Sequence, residues 1–155
     1  MATYDRTITG GGTTGHPGNL PRPYIITSPV YDAVDNTSLA GADIVKLIDL
    51  PADSMVIGGC LEILEASGNA SVTLDVGTSA DVDAFVDGGA SNAAALLQFN
   101  LKATATNMVT SADSVQVTVL DSGSSGTTAL RFRVHAVLCD VSQNPVESAT
   151  VSTGT

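Results

Sequence analysis

The chain has 155 residues, 16 of them acidic and 6 basic, which gives a formal charge of −10. Charged residues make up only 14% and aromatic residues 4%, against 43% hydrophobic, where a typical soluble domain carries about 25% charged residues. The length suits one domain with a real core, while six scattered basic residues cannot supply the clustered Lys and Arg that nucleic acid or an anionic membrane surface requires, so neither is expected as a partner. No uninterrupted apolar stretch approaches the roughly 18 residues needed to span a bilayer. Met1-Ala2-Thr3-Tyr4-Asp5-Arg6 shows no basic region followed by an apolar one, so no signal peptide is expected.

Residues 1–30 stand apart. Gly10-Gly11-Gly12, Gly15, Pro17, Gly18, Pro21, Pro23 and Pro29 crowd a segment without periodicity, and Gly and Pro favour extended chain over packed core. The segment is read as an extended N-terminal arm, either frayed or lying on a neighbouring subunit, with Tyr4, Ile8, Tyr24, Ile25 and Ile26 as anchors. From Tyr31 the pattern changes to period two, the strand period. Ile44 to Leu50 and Met55 to Glu65 are apolar enough for strands buried on both faces. Val72, Leu74 and Val76 alternate with Thr73 and Asp75, Val115, Val117 and Val119 alternate with polar residues, and Leu130, Phe132, Val134 and Ala136 point inward past Arg131 and Arg133. Ser67-Gly68-Asn69-Ala70 reads as a hairpin loop, since Gly and Asn tolerate positive φ.

Asp outnumbers Glu by 13 to 3, and Asp favours turns where Glu would favour helices. One short helix is predicted, over 91–99, where Ala93, Ala94, Ala95, Leu96 and Leu97 have high helix propensity. The expected fold is all-β, an antiparallel jelly-roll-like β-sandwich over 31–141, preceded by the arm and followed by a tail over 142–155. Cys60 and Cys139 sit in apolar runs and read as small buried thiols, with a disulfide as the alternative.

Candidate chemistry is sparse. Asp81, Asp83 and Asp87 offer oxygen ligands to a hard cation such as Ca2+, but without the Gly and Glu positions of an EF-hand; the alternative is an exposed acidic loop with Phe85 beneath it. No other cofactor is implied. His16 lies in the arm, and His135 lies on a strand with no local nucleophile or orienting carboxylate; no G-x-S-x-G elbow occurs, and no catalytic residue is expected. Arg131 and Arg133 share one outer face, where they would grip carboxylates at a subunit interface or of the chain's own loop, or remain solvated. Outer positions rich in Thr, Ser, Ala, Asn and Gln, with a mean hydropathy of +0.25, point to a charge-poor surface covered by copies of the same chain.

The stretch Ala42-Asp43-Ile44-Val45-Lys46-Leu47-Ile48-Asp49-Leu50-Pro51-Ala52-Asp53-Ser54-Met55-Val56-Ile57-Gly58-Gly59 resembles small structural proteins of tailed bacteriophages, in which a strand ending in Leu-Pro-Ala leads at once into a second apolar strand. Val72-Thr73-Leu74-Asp75-Val76-Gly77 and Asp81-Val82-Asp83-Ala84-Phe85-Val86-Asp87-Gly88-Gly89 resemble the same group. Together they cover about a third of the chain. The resemblance implies a head decoration (cement) protein: a non-enzymatic virion component, assembled in the host cytoplasm, that sits on the capsid exterior as a homotrimer and bridges major capsid subunits. On that reading the arm residues Tyr4, Arg6, Ile8, Arg22 and Tyr24 contact the capsid. The alternative is a receptor- or carbohydrate-binding module of a fibre or spike, for which three Tyr, three Phe and no Trp are a thin inventory.

Overall fold

The structure, a computed structural model, describes residues 3–8, 23–36, 38–101, 107–121, 127 and 129–141. Among these residues there are eleven strands: β1 (Thr3–Ile8), β2 (Pro23–Thr27), β3 (Tyr31–Asp32), β4 (Ile44–Leu50), β5 (Ser54–Glu65), β6 (Val72–Gly77), β7 (Val86–Ala90), β8 (Ala95–Gln98), β9 (Met108–Val109), β10 (Asp113–Asp121) and β11 (Arg131–Asp140). A five-stranded sheet has the order β1-β4-β10-β6-β7, and a six-stranded sheet has β2-β11-β5-β8 with β3 beside β11 and β9 beside β5. All pairings are antiparallel except β1 on β4. From β3 to β11 most connections cross between the sheets, the winding of a jelly-roll-like sandwich.

The inward faces of the two sheets form a single apolar core. Val45 and Leu47, Val72, Leu74 and Val76, and Val115, Val117 and Val119 meet Leu61, Ile63, Phe132, Val134, Ala136 and Leu138. The β-branched and aromatic residues predicted to face inward do so, because a period-two pattern leaves one side of each pleat uniformly apolar. Tyr31 stacks on Phe132 with ring centroids 5.4 Å apart.

Four expectations change. The predicted helix over 91–99 is strand β8, paired through Leu61↔Leu97 and Glu62↔Leu96 with β5; a few good helix formers have a weak intrinsic preference, which sheet pairing overrides. Ser67-Gly68-Asn69-Ala70 is not a hairpin loop but an arch between sheets, with Gly68 at φ +71°. β5 is buried on one face, not two, since Met55, Cys60 and Glu62 are half-buried and Ile57 is exposed. On β10 and β6, conversely, the outward polar residues are buried as well: Ser114, Gln116, Thr118 and Asp75. Part of that cover is the loop 78–85, whose Asp81 and Val82 backbone lies directly on Gly77 and whose Thr78 carbonyl accepts from Gln116 Nε2 at 3.1 Å.

The two described ends of the predicted arm are paired. Thr3–Ile8 lies along β4, and Pro23–Thr27 lies along β11. Arg22, His16, the Gly-rich stretch and the tail over 142–155 lie outside the described residues.

Candidate interaction face

The outer face of the six-stranded sheet is laid out in rows, because directly paired residues of antiparallel strands point the same way. The registers set Arg131 against Asp32 and Glu65, Arg133 against Glu62, which faces Leu96, and His135 against Thr27 and Cys60, which faces Gln98. Further along β11, Val137 is set against Ile25 and Gly58, and Cys139 against Pro23 and Met55, which faces Met108. The face is thus polar at one end and apolar at the other.

At the polar end the charges are paired. Arg131 Nε lies 2.9 Å from Asp32 Oδ2, and its Nη1 lies 3.9 Å from Glu65 Oε2. Glu62 Oε2 accepts from Arg133 Nε at 2.5 Å and lies 3.0 Å from His135 Nε2. His135 Nδ1 is 2.9 Å from Thr27 Oγ1, tying β2 to the sheet. When His135 is neutral with its proton on Nε2, Nδ1 accepts from the Thr27 hydroxyl; when it is charged, Nδ1 donates and the hydroxyl turns. Ion pairs that water still reaches contribute little to stability. The hydrogen bond from Arg133, then that from His135, holds the Glu62 carboxyl below its ordinary value. Burial, then the Glu62 charge, pushes the Cys60 thiol up.

The sign of the Glu62 shift fixes an acid dependence. A carboxylate with a depressed folded-state pKa contributes stability that is present above its ordinary value of about 4.5 and is lost as pH falls through the folded value. Melting temperatures of the wild type and Glu62→Gln are therefore expected to differ near neutrality and to converge below about pH 4.5. A gap that persists unchanged in acid would show that the Glu62 charge contributes nothing.

Arg131 and Arg133 thus meet carboxylates of their own sheet, on neighbouring strands, not those of the acidic loop. Among the described residues no group of three or more His, Cys, Asp or Glu converges in a way that would hold a metal. Asp81 and Asp83 are half-buried in the loop before β7, and Asp87 is exposed on that strand; Phe85 is buried beneath the loop, stacked on Phe99 at 5.1 Å. Tyr4, Arg6 and Ile8 lie on β1. Tyr24 packs against the core, and burial, followed by the charges of Asp140 and Cys139, raises its hydroxyl pKa. Cys60 and Cys139 are free. They lie in rows four residues apart along β11, roughly 13 Å, beyond disulfide reach. Glu62, Asp32 and Thr27 belong to the face yet carried no sequence signal beyond a lone carboxylate in an apolar strand, since their partners are 71 to 108 residues away or come from an isolated two-residue strand.

No protein-family model and no curated protein sequence matches the chain. Among solved structures, the fold is similar to a chain in the capsid of Ralstonia phage GP4, at 18% identity and a TM-score of 0.58, over 88% of this chain and 97% of that one. It is similar to a chain of the cyanophage Pam1 capsid asymmetric unit at 17% identity and a TM-score of 0.58, over 83% of this chain and 90% of that one. The sandwich is therefore a fold that chains in phage capsids adopt.

Proposed function

We propose that this chain is a structural virion protein that decorates and stabilises a phage capsid, bridging neighbouring major capsid subunits as a homotrimer on the shell exterior. The observation that supports the reading best is the near-complete coverage of both chains from phage capsid structures: each consists of little besides this sandwich. Sequence features of the Leu50-Pro51-Ala52 strand end and the Asp81–Gly88 loop agree with it. The mechanism is mass action. A protein that binds only the assembled lattice lowers its free energy relative to the dissociated subunits in proportion to the logarithm of its concentration over the dissociation constant.

Capsid contacts are assigned to the N-terminal residues Tyr4, Arg6, Ile8, Arg22 and Tyr24, and a subunit contact to Arg131 and Arg133. Assembly would take place in the host cytoplasm, where unpaired Cys60 and Cys139 remain reduced. Light scattering on the eluting protein is expected to give about three times 15.6 kDa, unchanged by chelator; loss of that mass in chelator would reinstate Asp81, Asp83 and Asp87 as a Ca2+ site. The protein is expected to co-sediment with shells of its own phage that were assembled without it. A monomer that ignores those shells would overturn the reading in favour of a receptor- or carbohydrate-binding module.

A further inference from the structure

We propose that the apolar end of the outer face of the six-stranded sheet is where the capsid lattice protein seats, and that the lattice surface it fits is apolar at its centre with Lys or Arg at its rim. The inference rests on the virion reading and adds to it the contact surface and the chemistry of the partner.

Two adjoining rows make the patch. Ile25, Val137 and Ile57 form one, Pro23, Met55 and Met108 the other, with Ile57 at the register shift between Val137 and Leu138. Ile25 is 72% exposed, Met108 47% and Ile57 38%. Isolated apolar residues on a surface need no explanation, but a contiguous patch across four strands marks a contact surface. The other half of the same face differs: apart from Leu96 on its edge strand, it is lined by Arg131, Arg133, His135, Glu62 and Glu65, joined in ion pairs. Gly58 adds flatness: it presents no side chain between Val137 and the β5 bulge.

Charge selects the occupant. Both arginines of the face are engaged by carboxylates of the chain itself. The apolar end is flanked by exposed Asp53, whose carbonyl accepts from Val141 N at 2.8 Å and so holds that turn against the end of β11. No lysine lies on the strands of this sheet. Among its described residues the patch therefore offers the Asp53 carboxylate at its rim and no uncommitted cation. A second copy seated on this patch would bring the same Asp53 rim, and like charges across an interface disfavour pairing through it. A basic rim on the lattice protein complements it, and speeds encounter as well.

The test uses the full-length protein and shells of the same phage assembled without it, with co-sedimentation and native mass read in parallel. Ile25→Asp and Met108→Asp sit at exposed positions and leave the core intact. Each is expected to weaken shell binding at least about tenfold, the range of a central contact residue, at unchanged native mass. Leu120→Asp, 40% exposed on β10 of the other sheet, should bind as the wild type does. Wild-type binding should weaken as salt rises. Wild-type affinity retained by both patch variants overturns the proposal, as does a loss shared equally by Leu120→Asp. A fall in native mass would make the patch the self-association surface instead, and salt-independent binding would overturn the basic rim. Failure of the wild type itself to bind shells overturns the virion reading, and the patch assignment with it.

Discussion

Phe132→Ala is expected to destabilise the sandwich by about 3–5 kcal/mol, the range for removing a fully buried aromatic ring. Phe132 is completely inaccessible on β11, the strand that joins β2 and β3 to β5, and its ring stacks on equally buried Tyr31. The loss therefore combines transfer free energy, the stacking contact and a cavity between two sheets whose backbones are fixed by their ladders. Urea unfolding measures it directly, and for a domain of this size the melting temperature should fall by roughly 6–20 °C. Leu96→Ala, at an exposed position of the same sheet, should stay within about 0.5 kcal/mol of the wild type. A Phe132→Ala effect below about 1 kcal/mol would mean that the core collapses around the gap.

Gly77→Ala should cost about 3 kcal/mol or more, for a different reason. A Cβ at this position would stand 2.1 Å from the Asp81 carbonyl oxygen and 2.5 Å from the Val82 carbonyl carbon. Both are backbone atoms, so no rotamer change relieves the clash. The loop over 78–85 cannot simply retreat. Thr78 N donates to Asp81 O and Phe85 N to Val76 O, each at 2.8 Å, and Ser79 donates from both N and Oγ to Asp113. Gln116, buried below, depends on the Thr78 carbonyl, and a buried amide left without its partner adds about 1–3 kcal/mol. The expected signature is faster proteolysis within 78–85 along with reduced global stability. Gly88→Ala is the informative contrast: it meets open space but holds φ at +61°, so only backbone strain remains, on the order of 1–2 kcal/mol.

The inward positions of β6, β10 and β11 could be read from the chain because alternation is a local property: Val115, Val117 and Val119 need only each other to reveal a face. What surrounds them is not local. Ser114, Gln116 and Thr118 have the spelling of a solvated face yet are buried, partly by a loop that precedes them by some thirty residues. Ala95–Gln98 has a helix former's composition, and its state is decided by Cys60–Ile63 on a strand across the sheet. The face's charges followed the same rule. Arg131 and Arg133 could be placed on one side of a strand, but Glu62, Glu65 and Asp32 become their partners only once β3, β11 and β5 adjoin. The apolar end was hidden for that reason too, since Ile25, Met55, Met108 and Val137 are scattered over more than a hundred residues and meet only through three strand registers.

The position of β11 also bears on how the molecule reaches this state. β2, β3 and β5 each pair with a strand that begins at Arg131, so on a growing chain the six-stranded sheet lacks its middle until β1 to β10 have all been synthesised. Until then β5 offers a bare ladder to any passing strand, and β2 has no partner to hold it. Distant pairings close large loops before they return any contact energy, which slows folding into the millisecond-to-second range typical of sandwiches, and open strand edges invite mispairing meanwhile. Pro23 and Pro29, bracketing Tyr24–Thr27, withhold two backbone donors from such encounters. A protein made in many copies at once would gain most from that protection during synthesis, well before any folded copy meets a partner.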